Sequence, residues 1–430
     1  MPRTLFENSV RQRVHRMGSL RVVGMAALAC GPRSPAAAET LSVPSDYPTI
    51  ADALEVAQPG DVISIGAGEY GESVTPFVDG LTIRGEGADL TTLRGDGEPV
   101  FELSYAADVT IEDLAIESAG IGVNMYGTHG ITIRHTKIRA QYGVASGDCY
   151  DLWLQGNLFE GGDFGYYSYR DWARDPAGTS DFVIEENRFV GNWVAVFIDS
   201  SLAMTVRRNT FFEPLNIGLV INSWGPHQIY ENLFDGGPGG ILFVEYDDEV
   251  WPPDLSSGLP SEGTASKRPR VFERANRLRA KATSATDVTV YNNVFYRTGV
   301  VGIYGYGLPY NPERFWVRNN IFYQNTGMAV YGMEGGAADG ATWNERMPIG
   351  YNTFYGNGSD FGGAIESRGR RVQGRNLFSD PRFTDATAGD FSLQSGSRSI
   401  NTGTLDIDGD GNDDLETWLG AGRDRGIEDR

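Results

Sequence analysis

The sequence predicts an all-β fold, a parallel β-solenoid, and two observations carry this prediction. The first is a recurring phrase, aliphatic-x-x-Asn-x-Phe, seen for example in "VYNNVFYRT" (290–298) and "VRNNIFYQN" (317–325). The second is its spacing, because units about 20 to 35 residues long are typical of repeat architectures. Within each unit apolar residues alternate, which indicates strands rather than helices. The Asn of successive copies are Asn157, Asn187, Asn209, Asn232, Asn293, Asn320, Asn352 and Asn376.

The repeated Asn and Phe have a structural explanation. In a solenoid each coil lies about 4.8 Å above the last, so equivalent residues form columns. The Asn is predicted to adopt the left-handed conformation of a turn and to bond to the Asn of the next coil. A structural role is therefore favoured over a ligand-binding role. The Phe two residues later are predicted to stack inside, namely Phe159, Phe189, Phe211, Phe234, Phe295, Phe322 and Phe354.

Composition limits the partners of the chain. Its 430 residues carry a net charge of −21, which argues against nucleic acid and anionic membranes and favours solubility. Only Cys30 and Cys149 are present, and the four His lack zinc-ligand spacing. One long domain is possible at this length, because a solenoid grows by adding coils. A monomer is expected.

Residues 1–38 are predicted to be a leader segment. Several Arg precede the short apolar stretch "VVGMAALAC" (22–30), and "PAAAET" offers a cleavage site after Ala38. A second interpretation makes Cys30 a lipidated N-terminus, which would attach the protein to a membrane. A disordered cytoplasmic tail is the third. The first two place the protein outside the cell, in the periplasm or on the outer surface.

The segment after the leader predicts a short capping helix, with Pro48 in its first turn, followed by the first strand. Here "YPTIADALEVAQPGDVISIGAGEYGE" (47–72) and "GLTIRGEGADLTTLRG" (80–95) resemble the opening of extracellular right-handed parallel β-helix proteins of the pectate-lyase-like superfamily. Residues 376–403 are similar to the closing segment of many such proteins. The resemblance implies a right-handed parallel β-helix over 39–403, with an insertion at about 245–287 and an acidic tail at 404–430.

The resemblance does not specify an activity. The superfamily holds lyases, hydrolases, esterases, epimerases and adhesins. The sequence patterns of polygalacturonases, pectin methylesterases and alginate epimerases are missing from this chain. Only three Lys are present, so an Arg would have to serve where such lyases use a basic residue.

The second long strand of each coil predicts three columns of side chains. One column points inward: Tyr166, Val196, Leu219, Ile241, Ile303, Val330 and Ala364. The next points outward and is unusually apolar: Tyr167, Phe197, Val220, Leu242, Tyr304, Tyr331 and Ile365. Either another segment covers this outward column, or it stacks against sugar rings. Two residues further on, again outward, lie Tyr169, Asp199, Asn222, Val244 and Tyr306.

Polar residues at these strand ends are the candidate site. Asp199 and Glu245 are two coils apart, roughly 10 Å along the axis, and are the acid/base candidates. Arg170 would hold a substrate carboxylate or neutralise developing charge. Binding candidates are Tyr169, Tyr306, Trp251 and Asn222. The alternative is that these are solvated turn residues, although long loops on a solenoid usually carry function.

Two further segments carry hypotheses. The basic stretch "KRPRVFERANRLRAK" (267–281) is predicted to close an acidic mouth, to contact an anionic polysaccharide, or to pack as a helix on the apolar column. In "DIDGDGNDDLE" (406–416) the spacing of the acidic residues suits one structural Ca²⁺, and the alternative is a solvated acidic turn. The predicted calcium ligands are Asp406, Asp408, Asp410 and Asp414.

Together these observations predict a secreted polysaccharide-active enzyme, a glycoside hydrolase or polysaccharide lyase, with a groove along the β-helix. The alternative is a non-catalytic carbohydrate-binding or structural protein of the same fold. In both cases the expected partner is a polysaccharide and the expected cofactor is at most Ca²⁺.

Overall fold

Parallel strands stack into coils along most of the chain. The computed structural model describes residues 38–97, 99–169, 180–199, 201–222, 226–244, 255–257, 288–306, 315–332, 347–365 and 375–407. Strands are numbered along the chain, and within these residues nearly all pair in parallel, each with its equivalent in the next coil.

The first sheet takes one strand from each coil. Its alternating inward residues are aliphatic or aromatic, which explains why the coils bury one face of every strand. Its strands are β1 (Thr40–Val43), β2 (Val62–Ile65), β4 (Thr82–Gly85), β7 (Thr110–Glu112), β9 (His129–Arg134), β11 (Tyr150–Gln155), β14 (Ser180–Glu185), β17 (Leu202–Arg207), β20 (His227–Tyr230), β23 (Val288–Tyr291), β26 (Phe315–Arg318) and β29 (Ile349–Gly350).

A second sheet follows the Asn of each coil and has two arms. The short arm comprises β3 (Gly68–Tyr70), β5 (Thr91–Gly95), β12 (Leu158–Glu160), β15 (Arg188–Val190), β18 (Thr210–Phe212), β21 (Leu233–Asp235), β24 (Val294–Tyr296), β27 (Ile321–Tyr323) and β30 (Thr353–Tyr355). The long arm comprises β6 (Phe101–Glu102), β13 (Phe164–Tyr169), β16 (Val194–Asp199), β19 (Ile217–Asn222), β22 (Gly239–Val244), β25 (Val301–Tyr306), β28 (Met328–Gly332) and β31 (Ser359–Gly363). Two strands, β8 (Ala115–Tyr126) and β10 (Lys137–Gly147), run through both arms.

The predicted Asn column is confirmed as a continuous ladder of buried amides from Asn157 to Asn376. Asn187 Oδ1, for example, accepts both the backbone N–H and the Nδ2–H of Asn157, each at 2.9 Å. The remaining Nδ2–H of Asn187 donates to the carbonyl of Leu154, the aliphatic residue of the previous copy of the motif. The same pattern links Asn232 to Asn293, although 61 residues separate them. The motif's spacing therefore reflects the contacts between one coil and the next.

One detail of that prediction is wrong. The ladder Asn are not left-handed; the residue before each of them is, as at Glu186 (φ 58°), Arg208 (φ 55°) and Glu231 (φ 54°). The ladder explains the difference. Each Asn side chain is committed to the neighbouring coils, so the sharp bend falls on the preceding residue, whose type matters little.

The predicted Phe column is confirmed inside the solenoid. Consecutive rings from Phe159 to Phe354 lie face to face with centroids 4.6–5.2 Å apart. These rings are at most 1% exposed. Phe378 continues the stack at 5.6 Å from Phe354 but is 47% exposed at the end of the column.

The capping helix is confirmed, with a later start than predicted. Helix α1 (Ile50–Val56) begins after the N-cap Thr49, whose side chain and that of Asp52 form a capping box. Pro48 therefore precedes the cap instead of lying in the first turn. The helix buries Ile50 and Ala53 against the first coils.

The chain ends by packing on the outside of the last coils. An antiparallel hairpin of β32 (Phe383–Asp385) and β33 (Asp390–Leu393) places Phe383 and Phe391 against Tyr296 of the short arm. Further on, Thr404 exchanges two hydrogen bonds with the side chain of Asn319.

Truncating one ring of the Phe column should be costly. Phe322 is fully buried between two parallel rings, so Phe322→Ala should lower the free energy of unfolding by about 3–5 kcal/mol. The matched control, Phe378→Ala at the exposed end, should cost far less. Chemical denaturation of both variants measures this, and equal losses would contradict the buried stack.

Acid should destabilise the fold through His227. This side chain is fully buried in the first sheet, where its Nδ1 accepts the N–H of Met204 at 3.3 Å. Burial lowers the pKa of His227 to about 4, against about 6.5 in the unfolded chain. Between these values the unfolded state binds more protons, so the contribution to stability is complete above about pH 6.5 and is lost as the pH falls towards 4.

From pH 7 to pH 5, His227 alone should remove about 2 kcal/mol of stability. His227→Gln keeps a hydrogen-bond acceptor without a titrating group, so its unfolding free energy should fall less over the same interval. If the free energies of unfolding of the two proteins fell equally from pH 7 to pH 5, this role for His227 would be wrong.

Candidate functional site

The strand ends of the long arm bring several predicted site residues into one outward column. Asp199 pairs with Asn222 between β16 and β19, and Val244 pairs with Tyr306 between β22 and β25. Tyr169 is the last residue of β13, two positions beyond the pair Tyr167 and Phe197. The predicted register is therefore confirmed for Asp199 with Asn222 and for Val244 with Tyr306.

Asp199 is held firmly at the end of its strand. Its Oδ1 accepts a hydrogen bond of 3.0 Å from Nδ2 of Asn222 in the next coil. Its backbone N–H donates to Oγ of Ser168 in the previous coil at 2.8 Å. The residue is half-buried, so a carboxylate is fixed at the surface with a neighbouring amide that bonds to it.

Tyr169 lies over a glycine of the previous coil. A Cβ atom on Gly147 would stand 2.5 Å from the Tyr169 ring, so only glycine leaves room for it there. The phenol donates a weak hydrogen bond of 3.4 Å to the carbonyl of Met125. Burial raises the pKa of Tyr169 well above its ordinary range, and the Glu102 carboxylate adds to the shift. Tyr169 is therefore a protonated hydrogen-bond donor at physiological pH.

The same column continues towards the N-terminus through residues that the sequence did not single out. Tyr126 pairs with Gly147, and the Tyr105 ring meets it edge to face at 5.7 Å. Tyr105 is 66% exposed, the most exposed of these rings. Beside them Nδ2 of Asn124 donates to both oxygens of Glu102, at 3.1 and 2.9 Å. We call Tyr105, Tyr126, Tyr169, Asp199 and Asn222 the tyrosine strip.

These early coils carry no Asn-x-Phe motif, which is why Tyr105 and Tyr126 were missed. The ladder ends at Thr136, whose backbone N–H donates to Oδ1 of Asn157. The one available signal was the spacing of Gly127 and Gly147, which mark the same corner in adjacent coils.

The apolar outward column is covered rather than open. Phe197, Val220, Leu242 and Tyr304 are all at most 6% exposed and belong to a cluster outside the solenoid interior. Leu255 completes this cluster, and its backbone N–H donates to Oδ1 of Asn216 at 2.7 Å. Of the two interpretations, cover by another segment is correct for these four residues, and sugar stacking there is wrong.

The predicted register fails in the last coil. Gly362 pairs with Tyr331, so the strand is shifted by three residues from the prediction. Ile365, predicted outward, is 1% exposed in the main core, whereas Ala364, predicted inward, is exposed. Phe361 takes the inward position opposite Val330.

Several predicted residues lie outside those that the structure describes. They are Arg170, Glu245, Trp251 and the basic stretch 267–281, and for Tyr306 only the backbone is described. Glu245 directly follows Val244, one coil beyond Asn222, so the pairing of Asp199 with Glu245 stays a prediction.

The calcium hypothesis also stays a prediction. Asp408, Asp410 and Asp414 lie outside the described residues. Asp406 faces a cation, because its Oδ1 is 3.6 Å from Nη1 of Arg318 and its carbonyl accepts from the same nitrogen. Within the described residues no group of three or more His, Cys, Asp or Glu is placed to hold a metal.

One family model matches part of the chain. It describes a right-handed β-helix region and covers residues 76–249. This match and the parallel pairing above confirm the predicted right-handed parallel β-helix. No curated protein matches the chain in sequence.

Solved structures with a similar fold are distant in sequence. The catalytic domain of a GH87 α-1,3-glucanase is 14% identical over 82% of this chain and 70% of its own, with a TM-score of 0.42. PfbA, a surface adhesin of Streptococcus pneumoniae, is 10% identical over 75% and 91%, with a TM-score of 0.49. Pectate lyase Pel9A is 13% identical over 91% and 96%, with a TM-score of 0.48. Enzymes and an adhesin occur together here, so these similarities do not distinguish catalysis from binding.

Proposed function

We propose that this protein binds a polysaccharide chain along the tyrosine strip. The observation that carries the proposal is the register: Tyr126, which is only 9% exposed, Gly147 and Tyr169 lie in one outward column, and Asp199 and Asn222 pair at the matching strand ends of the next two coils. From Tyr126 to Asn222 there are four coil steps, roughly 19 Å at 4.8 Å per coil. Such a row suits an extended polymer with a repeating unit better than a compact small molecule.

The chemistry of the strip suits sugars. Tyrosine rings offer apolar faces to the C–H groups of a pyranose ring, and the phenol, amide and carboxylate groups bond to its hydroxyls. Hydrogen bonds to Met125 and Asn222 hold the side chains of Tyr169 and Asp199 in place before any ligand arrives, and Ser168 holds the backbone N–H of Asp199. Less side-chain freedom is then lost on binding.

Truncation of the strip should weaken glycan binding. In affinity electrophoresis against a panel of soluble polysaccharides, Tyr105→Ala and Tyr169→Ala should each raise the Kd by about tenfold or more for the glycan that is retained. Tyr355→Ala is the matched control, because that ring is 41% exposed on the short arm, outside the strip. Equal retention of all three variants would rule out the strip as the binding surface.

A second candidate function is cleavage of the bound chain, by hydrolysis or elimination. It is favoured by Asp199, a half-buried carboxylate fixed by Asn222 within the strip. We propose Glu245 as its acid/base partner and Arg170 as the group that neutralises charge, with Trp251 and Tyr306 extending the binding surface. Without these partners the strip would only bind, as in the non-catalytic alternative.

If reducing ends or unsaturated products are released from any member of the panel, Asp199→Asn and Glu245→Gln should each lower turnover by at least about 10²-fold. Asp96→Asn, an exposed carboxylate after β5, should leave turnover unchanged. Full activity in both site variants would remove these residues from the mechanism, while the binding measurements would still stand.

We also propose export from the cell, since a polysaccharide substrate lies outside it and residues 1–38 carry the features of a leader. Cleavage after Ala38 and lipidation of Cys30 remain alternatives, which mass spectrometry of the mature protein distinguishes. No helix in the described part of the chain is long and apolar enough to cross a membrane. Binding of one Ca²⁺ by Asp406, Asp408, Asp410 and Asp414 is retained as a proposal for the tail.

A further inference from the structure

The first sheet carries a second row of outward side chains, on a different face from the tyrosine strip. Thr82, Thr110, Thr132 and Trp153 are in register in four successive coils. The three Thr are half-buried, and none of their hydroxyls takes part in a hydrogen bond among the residues that the structure describes. Their spacing of about 4.8 Å per coil is close to the rise of one hexose in an extended glycan.

Trp153 is both exposed and fixed in orientation. The side chain is 43% exposed, and its Nε1–H donates to Oε1 of Glu185 at 2.9 Å. Glu185 is itself held by Arg207 and Arg208, at 2.7 and 2.8 Å. Although burial opposes it, these guanidinium groups keep the pKa of Glu185 below its ordinary value. With its polar edge satisfied, the side chain meets no other ring or cation among the described residues, and its exposed part is open to a ligand.

A second flat aromatic surface stands at the start of the same strand. Tyr150 is 47% exposed, and its ring stacks on that of His129 at 4.9 Å with an interplanar angle of 5°. Both residues are paired in register between β9 and β11. Tyr150 and His129 therefore add a second aromatic surface at the start of β9 and β11, the strands that carry Thr132 and Trp153. We call these four residues, with Thr82 and Thr110, the tryptophan surface.

The charges beside this surface indicate which glycans fit. Glu112 lies between Arg84 and Arg134 and pairs with both, and it is 3% exposed. Arg207 and Arg208 are committed to Glu185. Two guanidinium groups share each of these carboxylates, so part of their hydrogen-bonding capacity is already used, and the net charge of −21 on the chain disfavours uronate and sulfate groups. A neutral chain needs only hydroxyl contacts and ring faces.

We propose that the tryptophan surface is a second glycan-binding site, which takes a neutral polysaccharide laid across the Thr row onto Trp153. The proposal stands apart from the tyrosine strip, because it rests on other residues on another sheet. Its role would be to hold the protein on an insoluble or extended matrix while the strip engages a chain elsewhere.

The test uses the full chain labelled with 5-fluorotryptophan and observed by ¹⁹F NMR. The Trp153 resonance is assigned by its loss in Trp153→Phe, which keeps an aromatic ring at the site. The probes are laminarin, glucomannan, galactomannan and dextran as neutral glycans, with polygalacturonate and alginate as anionic ones. At least one neutral glycan should shift the Trp153 resonance, and the anionic glycans should not. Trp316, which is 5% exposed in the same column, should stay unchanged.

Matched variants separate this site from the strip. Thr132→Val removes one hydroxyl without changing shape and should raise the Kd of the retained neutral glycan, by several-fold. Trp153→Ala should raise it by about tenfold. Thr289→Val, in the same column but with its hydroxyl donated to the carbonyl of His227, should have no effect. In a Tyr169→Ala background the Trp153 shift should persist.

Three results would overturn the proposal. The first is that no neutral probe shifts the Trp153 resonance, and the second is that only the anionic probes shift it. The third is that the shift disappears in Tyr169→Ala, because it would then report binding at the tyrosine strip. If the strip variants bound glycan as well as the unmodified chain while the Trp153 resonance still shifted, only the proposed function of the tyrosine strip would be wrong. The unfolding midpoint of each variant shows whether it has lost its fold. If a variant has, the shift of the Trp153 resonance in the unmodified chain decides the outcome.

Discussion

The stacking of buried Asn amides is the constraint on which the rest of the structure depends. A primary amide inside a protein must have its donors and acceptor paired, since each orphaned group costs about 1–3 kcal/mol. Asn187 meets this condition only when Asn157 lies directly before it and Asn209 directly after it. A slip of one residue would leave amides unpaired and would turn every strand's apolar face outward. The ladder also tolerates insertions, because Asn232 bonds to Asn293 across the largest gap in the repeat.

Because the register is fixed, residues at equivalent positions of successive coils lie side by side on the surface. Once the ladder aligns the coils, every outward position on a strand becomes one element of a column at coil spacing. On the long arm this places Asp199 beside Asn222 and in line with Tyr169. On the first sheet it aligns three Thr with Trp153. On both surfaces a central side chain is held in place, Asp199 by Asn222 and Trp153 by Glu185, so a ligand would not have to order these two.

The repeat made most of the fold predictable, and the failures have physical causes. The motif encodes contacts between coils, so the coils from Asn157 onward and the Phe column could be read directly. The left-handed residue was misplaced by one position, because the ladder rather than Asn's own preference decides where the bend falls. In the last coil "GNGSDFGGA" contains several Gly, and a strand with few side chains defines its register weakly.

Tyr105 and Tyr126 escaped notice because hydrogen bonds of the ladder end at Thr136 and no motif marks earlier coils. The pairing of Asp199 with Glu245 stays a prediction, because Glu245 comes directly after the last described residue of β22.

The position of the tyrosine strip follows from the same constraint. Inward positions are filled mostly by apolar side chains, and buried polar ones such as His227 and the ladder Asn are engaged in hydrogen bonds within the solenoid, so ligand chemistry belongs on outward positions. On the long arm the outward column nearest the strand centre is apolar and needs cover, which Leu255 helps to supply. The next outward position, two residues later, is the first that can be polar, and it stands where the strand ends and the chain leaves the coil. Asp199 and Asn222 occupy it, directly before the segments that vary most in length between coils. A solenoid of this kind therefore leaves the strand ends, where a regular scaffold meets the variable loops, as the positions on which a ligand surface can be built.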